Sequence, residues 1–237
     1  MAIFWRLVLS HLLADFTLQF DFVNKLKRRS MWGMVIHCLT HFVVSAALTW
    51  NYLAEPWFSA AGVQVGGWAA LGVMLVIHFA VDQLRVYSMK TLGWKDGTAS
   101  FLADQALHLY VLFMIAPVMI DGPDLLMGEK WAAIASMVVL ITHFTTVLIY
   151  FVEKDLFNKP FPHFDEKYFL IFERVVLWAF FFAEGRWWLF FAAAWAGQLL
   201  YIKRKRIMDL SGVNVWLSVA MAVLVGIWTR LTYYGYL

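Results

Sequence analysis

The sequence predicts an all-α, polytopic integral membrane protein with about eight transmembrane helices, each needing about 20 apolar residues. Of its 237 residues, 62% are hydrophobic and 15% are charged, which is too apolar for a soluble domain of this length. Most lysines and arginines lie between alternate apolar stretches, as membrane orientation requires. We therefore expect residues 1–237 to form a single transmembrane domain.

Eight apolar stretches define the predicted membrane spans. They cover residues 3–23, 31–54, 67–89, 99–120, 131–152, 168–183, 187–202 and 213–234. Residues 184–186 are interpreted as a tight turn between the sixth and seventh spans; the alternative is one long kinked helix and seven spans. The first span contains Arg6 and Asp15 and lacks the cleavage pattern of a signal peptide, so we expect it to be retained.

The distribution of basic residues predicts the orientation of the chain. Those that lie between alternate spans are Lys25, Lys27, Arg28, Arg29, Arg85, Lys90, Lys95, Lys154, Lys159, Lys167 and residues 203–206. The positive-inside rule places these loops in the cytoplasm and both termini outside. Merging the sixth and seventh spans would move residues 203–206 to the outer side, so the alternation favours eight spans. The net charge of +3 does not indicate a nucleic-acid partner.

Eight histidine and aspartate residues in the first half of the chain form a repeat with an offset of 67 residues. Its eight members form four pairs, each with a spacing of four residues: His11 and Asp15, His37 and His41, His78 and Asp82, Asp104 and His108. Adding 67 to the numbers of the first two pairs gives the other two. Each copy contains two spans, so both copies enter the membrane in the same direction as a parallel repeat. We expect residues 1–122 to form a four-helix metal-binding bundle and residues 123–237 to supply accessory helices.

The paired residues are predicted to share one face of each helix and to lie in two layers. Residues four apart lie on the same helix face, and counting about 1.5 Å per residue from the cytoplasmic ends gives their depths. The deeper layer contains His11, His41, His78 and His108, and the shallower layer contains Asp15, His37, Asp82 and Asp104. Facing carboxylates and imidazoles at one height are how helix bundles hold two or more metal ions.

The ligand types restrict the metal. Oxygen and nitrogen ligands without a thiolate favour zinc, with manganese or iron as alternatives. A plain structural role remains the alternative, because polar residues also join membrane helices by hydrogen bonds. Against it, one aspartate at the centre of a membrane costs about 2.5–3.5 kcal/mol, and this chain has three at similar depth. We therefore expect at least two divalent ions as cofactors.

Further polar residues extend the predicted site. Glu173 is a candidate general base, Arg174 a candidate contact for an anionic group, and His143 a candidate for orienting a ligand. The candidate substrate contacts at the cytoplasmic mouth are Arg85, Arg28 and Arg29, which suit a phosphate or a lipid headgroup. Membrane orientation alone also explains basic residues at that position. Gln19, Gln83 and Gln105 are candidates for hydrogen bonds to the ligands, and Cys38 is interpreted as a core residue.

Four motifs carry a resemblance to a known family. The run HLLADFTLQ at 11–19, HxxxH at 37–41, HxxxD at 78–82 and DQxxH at 104–108 resemble a bacterial inner-membrane family, domain of unknown function 3307. The resemblance implies a multi-pass protein of the bacterial inner membrane and brings no activity with it. In residue types alone, the pattern is also similar to membrane-bound metal-dependent hydrolases.

Three functions remain open at this point. The leading hypothesis is a metal-dependent hydrolase that acts from the cytoplasmic side on a lipid or lipid-linked phosphoester. The alternatives are a divalent metal transporter or channel and a di-iron membrane hydroxylase or desaturase. The expected partners are the membrane and a lipid or lipid-linked substrate, and the oligomeric state is open.

Overall fold

The computed structural model describes residues 2–19, 21–117, 130–162, 164–205 and 211–236. Within these ranges the chain is mostly helical, as predicted. The helices are α1 (Ala2–Leu12), α2 (Asp21–Arg29), α3 (Met31–Thr49), α4 (Gly67–Thr91), α5 (Thr98–Ile115), α6 (Lys130–Val139), α7 (Thr145–Phe157), α8 (Phe164–Ala179), α9 (Trp187–Arg204) and α10 (Gly212–Tyr234). An antiparallel hairpin, β1 (Pro56–Ala60) with β2 (Val63–Gly66), joins α3 to α4 and was not part of the all-α prediction.

Among the described residues, five helical segments are long and apolar enough to cross a membrane. They are Met31–Tyr52, Gly67–Thr91, Thr98–Ile115, Lys130–Phe157 and Gly212–Tyr234, and they correspond to five of the eight predicted spans. The other three predicted spans fall on α1, α8 and α9. These helices are shorter or, in α9, end in charged residues.

The turn at residues 184–186 separates two helices. After α8 the chain makes a short 3₁₀ turn, Phe180–Phe182, and α9 begins at Trp187. Gly185 between them has φ +59°, a left-handed conformation that glycine adopts without strain. The structure therefore has two helices here and excludes one long kinked helix.

The burial pattern of α3 is the reverse of that in a water-soluble helix. Val43 and Ile36 are 62% and 47% exposed, whereas His37 and His41 are 1% and 2% exposed. In water such an arrangement would expose apolar surface and bury groups that need hydrogen bonds. A lipid environment explains it, because apolar side chains face the lipid and polar ones face the bundle interior.

The chain divides into two compact units, Met1–Ser136 and Met137–Leu237. In the first unit, α1 packs against α3 and α5, α3 packs against α4, and α4 packs against α5. These four helices form a closed ring, and they are the four helices of the predicted repeat. Whether residues 1–237 act as one domain in the membrane stays a prediction.

The short helix α2 lies directly against α3 because residue 33 is glycine. A Cβ atom at Gly33 would lie 2.3 Å from the backbone oxygen of Leu26, a distance that no side chain tolerates. Ser30 caps the start of α3 by accepting a hydrogen bond from the Gly33 amide at 3.0 Å, as N-cap serines do. The sequence Ser-x-x-Gly thus fixes both the turn into α3 and the close contact between the two backbones.

Two π-helical turns interrupt the α-helices in the described part of the chain. One, Leu13–Thr17, extends α1 and contains Asp15; the other, Leu140–Phe144, joins α6 to α7 and contains His143. Such turns often occur at functional sites. Both place a polar residue that the sequence pattern singled out.

In the second unit, α10 packs against α7, α8 and α9. A core of Leu177, Phe181, Ala192 and Ala222 joins α8, α9 and α10. The fully buried guanidinium of Arg230 donates hydrogen bonds to three backbone oxygens in or near the turn after α8, at 2.7–3.3 Å. Arg230 therefore ties α10 to that turn.

Candidate metal centre

The eight residues of the predicted site converge in the interior of the first unit. Seven of them are buried, and the side chain of Asp15 is 8% exposed. Each helix of the ring contributes one pair, so every pair faces the axis of the bundle. We refer to these eight residues as the cage.

The four deeper histidines form a closed ring of neighbours. The ring centroids are separated by 5.2, 3.9, 4.2 and 5.2 Å in the order His11, His41, His78, His108 and back to His11. A cavity of about 10 Å³ lies beside them and is lined by all four. That volume holds one water-sized body.

The shallower residues form a second connected layer. His37 Nε2 lies 3.3 Å from Asp15 Oδ1 and 3.2 Å from Asp82 Oδ2. Gln105 Nε2 donates to Asp15 Oδ2 at 3.1 Å and to Asp104 Oδ2 at 3.2 Å. These contacts join the four residues of the predicted shallower layer, and their depth in the membrane stays a prediction.

One group of cage atoms lies close enough together to bind one metal ion. Asp15, His37, His41 and His78 each offer one ligand atom, and the four atoms lie within 4.8 Å of one another. The shortest separations are 3.2 Å for His41 Nε2 to Asp15 Oδ1, 3.3 Å for His37 Nε2 to Asp15 Oδ1 and 3.3 Å for His37 Nε2 to His78 Nε2. Zinc bonds of about 2.0–2.1 Å in a tetrahedron separate the ligand atoms by roughly 3.3–3.4 Å. We call these residues the first cluster.

A second cluster contains Asp82, Asp104 and His108, whose ligand atoms also lie within 4.8 Å of one another. Asp104 Oδ1 and both ring nitrogens of His108 are buried and have no hydrogen-bond partner in the described part of the chain. Buried polar atoms normally have a partner, and a cation bound by these atoms would supply one. Three protein ligands leave a position open on a tetrahedral ion, which is typical of catalytic rather than structural sites.

Two basic side chains compensate part of the charge of the three aspartates. Lys27 Nζ lies 2.7 Å from Asp82 Oδ2, and Arg85 Nη1 lies 3.0 Å from Asp104 Oδ2. The ion-pair partners of Asp15 among the described residues are histidines. With neutral histidines, the cage therefore has one buried negative charge without a lysine or arginine partner.

Two of the three candidate glutamines contact the cage. Gln105 holds the two aspartates described above, and its Oε1 lies 3.2 Å from His11 Nε2. Gln19 Nε2 lies 3.4 Å from His37 Nδ1. Such contacts orient ligand side chains. No corresponding contact of Gln83 occurs within the described ranges.

Cys38 has two roles open to it in the structure. It packs with Met34 and Val86, as its interpretation as a core residue predicted. Its sulfur also lies within 4.8 Å of one ligand atom each of His78 and Asp82. Its spacing from His37 did not reveal this position.

The candidate substrate contacts lie beside the cage in the first unit. Arg85 bridges Asp104 to Asp96, with Nη2 donating to Asp96 Oδ1 at 3.1 Å. Arg28 donates to the same carboxylate at 2.9 Å, and its side chain is 44% exposed. Arg29 is exposed at the end of α2. Their role in substrate binding stays a prediction.

Glu173, Arg174 and His143 belong to the second unit. Arg174 is 1% exposed, and it donates to the backbone oxygen of Thr142 at 3.1 Å and to side chains of α7 and α10. Glu173 is buried, and His143 lies on the π turn that Arg174 contacts. These contacts make Arg174 a link between elements of its own unit, and the three catalytic assignments stay predictions.

Lys27 and Asp96 are the residues of the site that the sequence pattern did not identify. Lys27 was interpreted as one of the basic residues at the cytoplasmic mouth, whose charge membrane orientation explains, and Asp96 lies in a loop between α4 and α5. Their contacts depend on how α2 packs over α3. No periodicity in the sequence reports that packing.

Comparisons with known proteins identify a family without an activity. A family model described as a protein of unknown function (DUF3307) matches residues 3–127, which is more than half of the chain and includes the whole cage. Neither the curated proteins nor the solved structures contain a match. The chain therefore belongs to the DUF3307 family of proteins of unknown function.

Proposed function

We propose that this protein is a membrane-embedded, metal-dependent hydrolase that cleaves a lipid or lipid-linked phosphoester at the cytoplasmic face of the bacterial inner membrane. The proposal includes eight spans with both termini outside and two divalent ions in the cage, zinc being favoured. One observation supports it most: eight histidine and aspartate side chains meet in the bundle interior, and seven of them form two clusters whose ligand atoms lie within 4.8 Å of one another.

The energetics of the cage favour bound cations. Burying an aspartate without a cation is costly in a membrane, and one of the three cage carboxylates has only histidine partners for ion pairing among the described residues. A divalent ion at the first cluster would neutralise that charge and use ring nitrogens that otherwise crowd around one carboxylate oxygen. Since every ligand of that cluster is oxygen or nitrogen, zinc, manganese or iron fits it.

The second cluster favours hydrolysis over a purely structural role. Its three protein ligands leave room for water or substrate oxygen on a tetrahedral ion. A pair of bound divalent ions would supply an activated water and polarise a phosphoryl oxygen. A cage carboxylate oxygen that is not bound to a metal would accept the proton of that water.

The surroundings of the cage favour an anionic, lipid-linked substrate. Arg28 and Arg29 are exposed at the end of α2, beside the Asp82 end of the cage that Lys27 and Arg85 reach. Trp32, next to them at the start of α3, is 77% exposed, and exposed tryptophans mark the membrane interface. A phosphate group at that interface would meet guanidinium groups while its lipid chain stays in the bilayer.

Transport of a divalent metal is the second candidate, because the π turn at Asp15 breaks the regular backbone beside a ligand. Irregular backbone of this kind lines the ion sites of many transporters. Against it, α3, α4 and α5 run without a break past their ligands. A di-iron oxidative enzyme is the remaining alternative, and the metal content distinguishes it.

Purified protein in detergent tests the proposal directly. Loaded with zinc or manganese, it should release inorganic phosphate from mixed micelles of isoprenyl or diacylglyceryl phosphate esters. The double variant His37→Ala, His41→Ala should lose this activity and at least about one equivalent of metal. A matched variant with two exposed residues of the same helix and the same spacing changed, Leu39→Ala with Val43→Ala, should keep both.

Two results would contradict hydrolysis. Absence of phosphate release by metal-loaded protein, together with zinc or manganese flux into proteoliposomes, would favour the transporter. Tightly bound iron with a visible charge-transfer band would favour oxidative chemistry.

A further inference from the structure

Lys27 extends from α2 into the cage and contacts two of its ligand atoms. Its Nζ lies 2.7 Å from Asp82 Oδ2 and 3.0 Å from His37 Nε2. An ammonium group has only N–H donors, so it cannot itself bind a metal ion. A metal ion bound at His37 Nε2 would need the position beside this nitrogen that the ammonium now occupies. Lys27 and a metal ion therefore exclude each other at His37.

The same conflict exists at Asp82. Its Oδ2 is the atom that Lys27 contacts, and it also lies 3.2 Å from His37 Nε2 and 3.5 Å from His78 Nε2. An ion bound to this oxygen would lie within a few ångströms of the ammonium. Like charges at that separation repel strongly where water is scarce, and the side chain of Asp82 is 3% exposed.

The position of Lys27 depends on how closely α2 packs against α3. Gly33 allows the backbone of α2 to lie against α3 at Leu26 and Lys27. Beyond that contact, Arg28 pairs with Asp96 at 2.9 Å, and Lys90 Nζ donates to the backbone oxygen of Arg28. Removal of the ammonium from the cage would take away the one buried attachment among these polar contacts.

We propose that Lys27 is an internal counter-ion of the cage, that a divalent metal ion displaces it from His37 and Asp82, and that this exchange releases α2 from the shallow end of the cage. The inference rests on the proposed metal site and adds its regulation. Metal loading and access to the cage are then coupled through one short helix, so that the loaded site is also the open one.

Zinc affinity and α2 dynamics test this exchange in the full-length protein. The variant Lys27→Met removes the ammonium and keeps the length of the side chain; Lys25→Met is the matched control, because Lys25 is exposed on the same helix. Zinc is titrated against a chromophoric chelator, and amide hydrogen exchange is followed over residues 21–30. We expect Lys27→Met to bind zinc about 5- to 150-fold more tightly than wild type, the usual range of a coupling between two sites.

Amide hydrogen exchange provides the second test. Zinc should accelerate amide exchange of α2 in wild type and in Lys25→Met. In Lys27→Met, α2 should exchange rapidly with or without zinc. Equal zinc affinity of Lys27→Met and Lys25→Met, or slower exchange of α2 in wild type with zinc, would overturn the inference.

A second variant keeps the test independent of the lysine. In Gly33→Ala the added methyl group collides with the α2 backbone and moves Lys27 without changing any charge. We expect tighter zinc binding and rapid α2 exchange; rapid exchange with wild-type affinity would overturn the inference. Failure of all variants and of wild type to bind zinc would overturn the proposed function as well. Zinc binding that is insensitive to Lys27 would overturn only the proposed displacement of Lys27 by the metal ion.

Discussion

Replacing Asp15 with asparagine should change the stability of the protein in opposite directions with and without metal. In the cage, Asp15 has only histidine ion-pair partners among the described residues. An uncompensated buried charge costs about 3–5 kcal/mol, and the hydrogen bond from Gln105 at 3.1 Å offsets part of this. We therefore expect Asp15→Asn to stabilise the chelator-treated protein by about 1–3 kcal/mol.

With metal the same substitution should be harmful. A ligand that binds only the folded state at 1,000 times its Kd stabilises that state by about 4.1 kcal/mol, and Asp15→Asn removes a ligand of the first cluster. The assay is thermal unfolding of detergent-purified protein with EDTA and with added zinc. For a chain of this length, 1 kcal/mol shifts Tm by about 2–4 °C, so both changes are measurable.

Asp96→Asn is the control for this experiment. Asp96 accepts hydrogen bonds from Arg28 and Arg85 and is not a member of either cluster. Its replacement should lower Tm slightly under both conditions and keep the stabilisation by zinc. If Asp15→Asn lowers Tm in EDTA and still gains stability from zinc, the charge argument for a cation in the cage is wrong.

Three further substitutions separate the metal site from the rest of the fold. His108→Ala should remove about one equivalent of bound metal, as measured by elemental analysis. Thermal unfolding in EDTA should show little change in Tm, because neither ring nitrogen has a described hydrogen-bond partner. Gly67→Ala should lower the unfolding free energy by about 1–3 kcal/mol, because the new Cβ would lie 2.7 Å from the Cα of Leu53. Thermal unfolding should show this loss, and elemental analysis should show unchanged bound metal. Arg230→Met should destabilise the protein by about 3 kcal/mol or more, because buried backbone oxygens lose their donor. Thermal unfolding measures this loss, with Arg230→Lys for comparison. The metal content should not change.

The convergence of the cage was predictable because two simple geometric rules determine it. A spacing of four residues places both members of a pair on one helix face, and the 67-residue offset repeats that face in the second helix pair. Helical rise then gives the depth of each residue. In the structure, the rings of His11 and His78 lie 5.7 Å apart, and His37 contacts both Asp15 and Asp82, although the two helix pairs are 67 residues apart in sequence.

The contact of Lys27 with the cage could not be read from the sequence. It depends on a tertiary contact between α2 and α3, which in turn depends on the missing side chain of Gly33. In a membrane protein the orientation rule already explains a basic residue in a loop, so its charge does not indicate a contact with the cage. The π turn at Asp15 was hidden for a related reason, because hydropathy reports which face is buried and not the hydrogen-bond register of the backbone.

The assignments in the second half of the chain had weaker support from the start. Glu173, Arg174 and His143 were selected by depth alone, without a repeat or a paired spacing. The structure places Arg174 among contacts to Thr142, Thr146 and Ser218 within its own unit. Depth by itself does not distinguish a catalytic residue from a buried polar link between helices.

Elemental analysis of the detergent-purified wild-type protein tests the central claim most directly. We expect at least about one equivalent of zinc, manganese or iron per chain after purification without chelator, and about two after dialysis against the metal. The double variant His37→Ala, His41→Ala should lose at least about one of these equivalents while still inserting into membranes. A wild-type protein that holds less than about 0.1 equivalent of any divalent metal under both conditions would contradict the claim that the cage is a metal site.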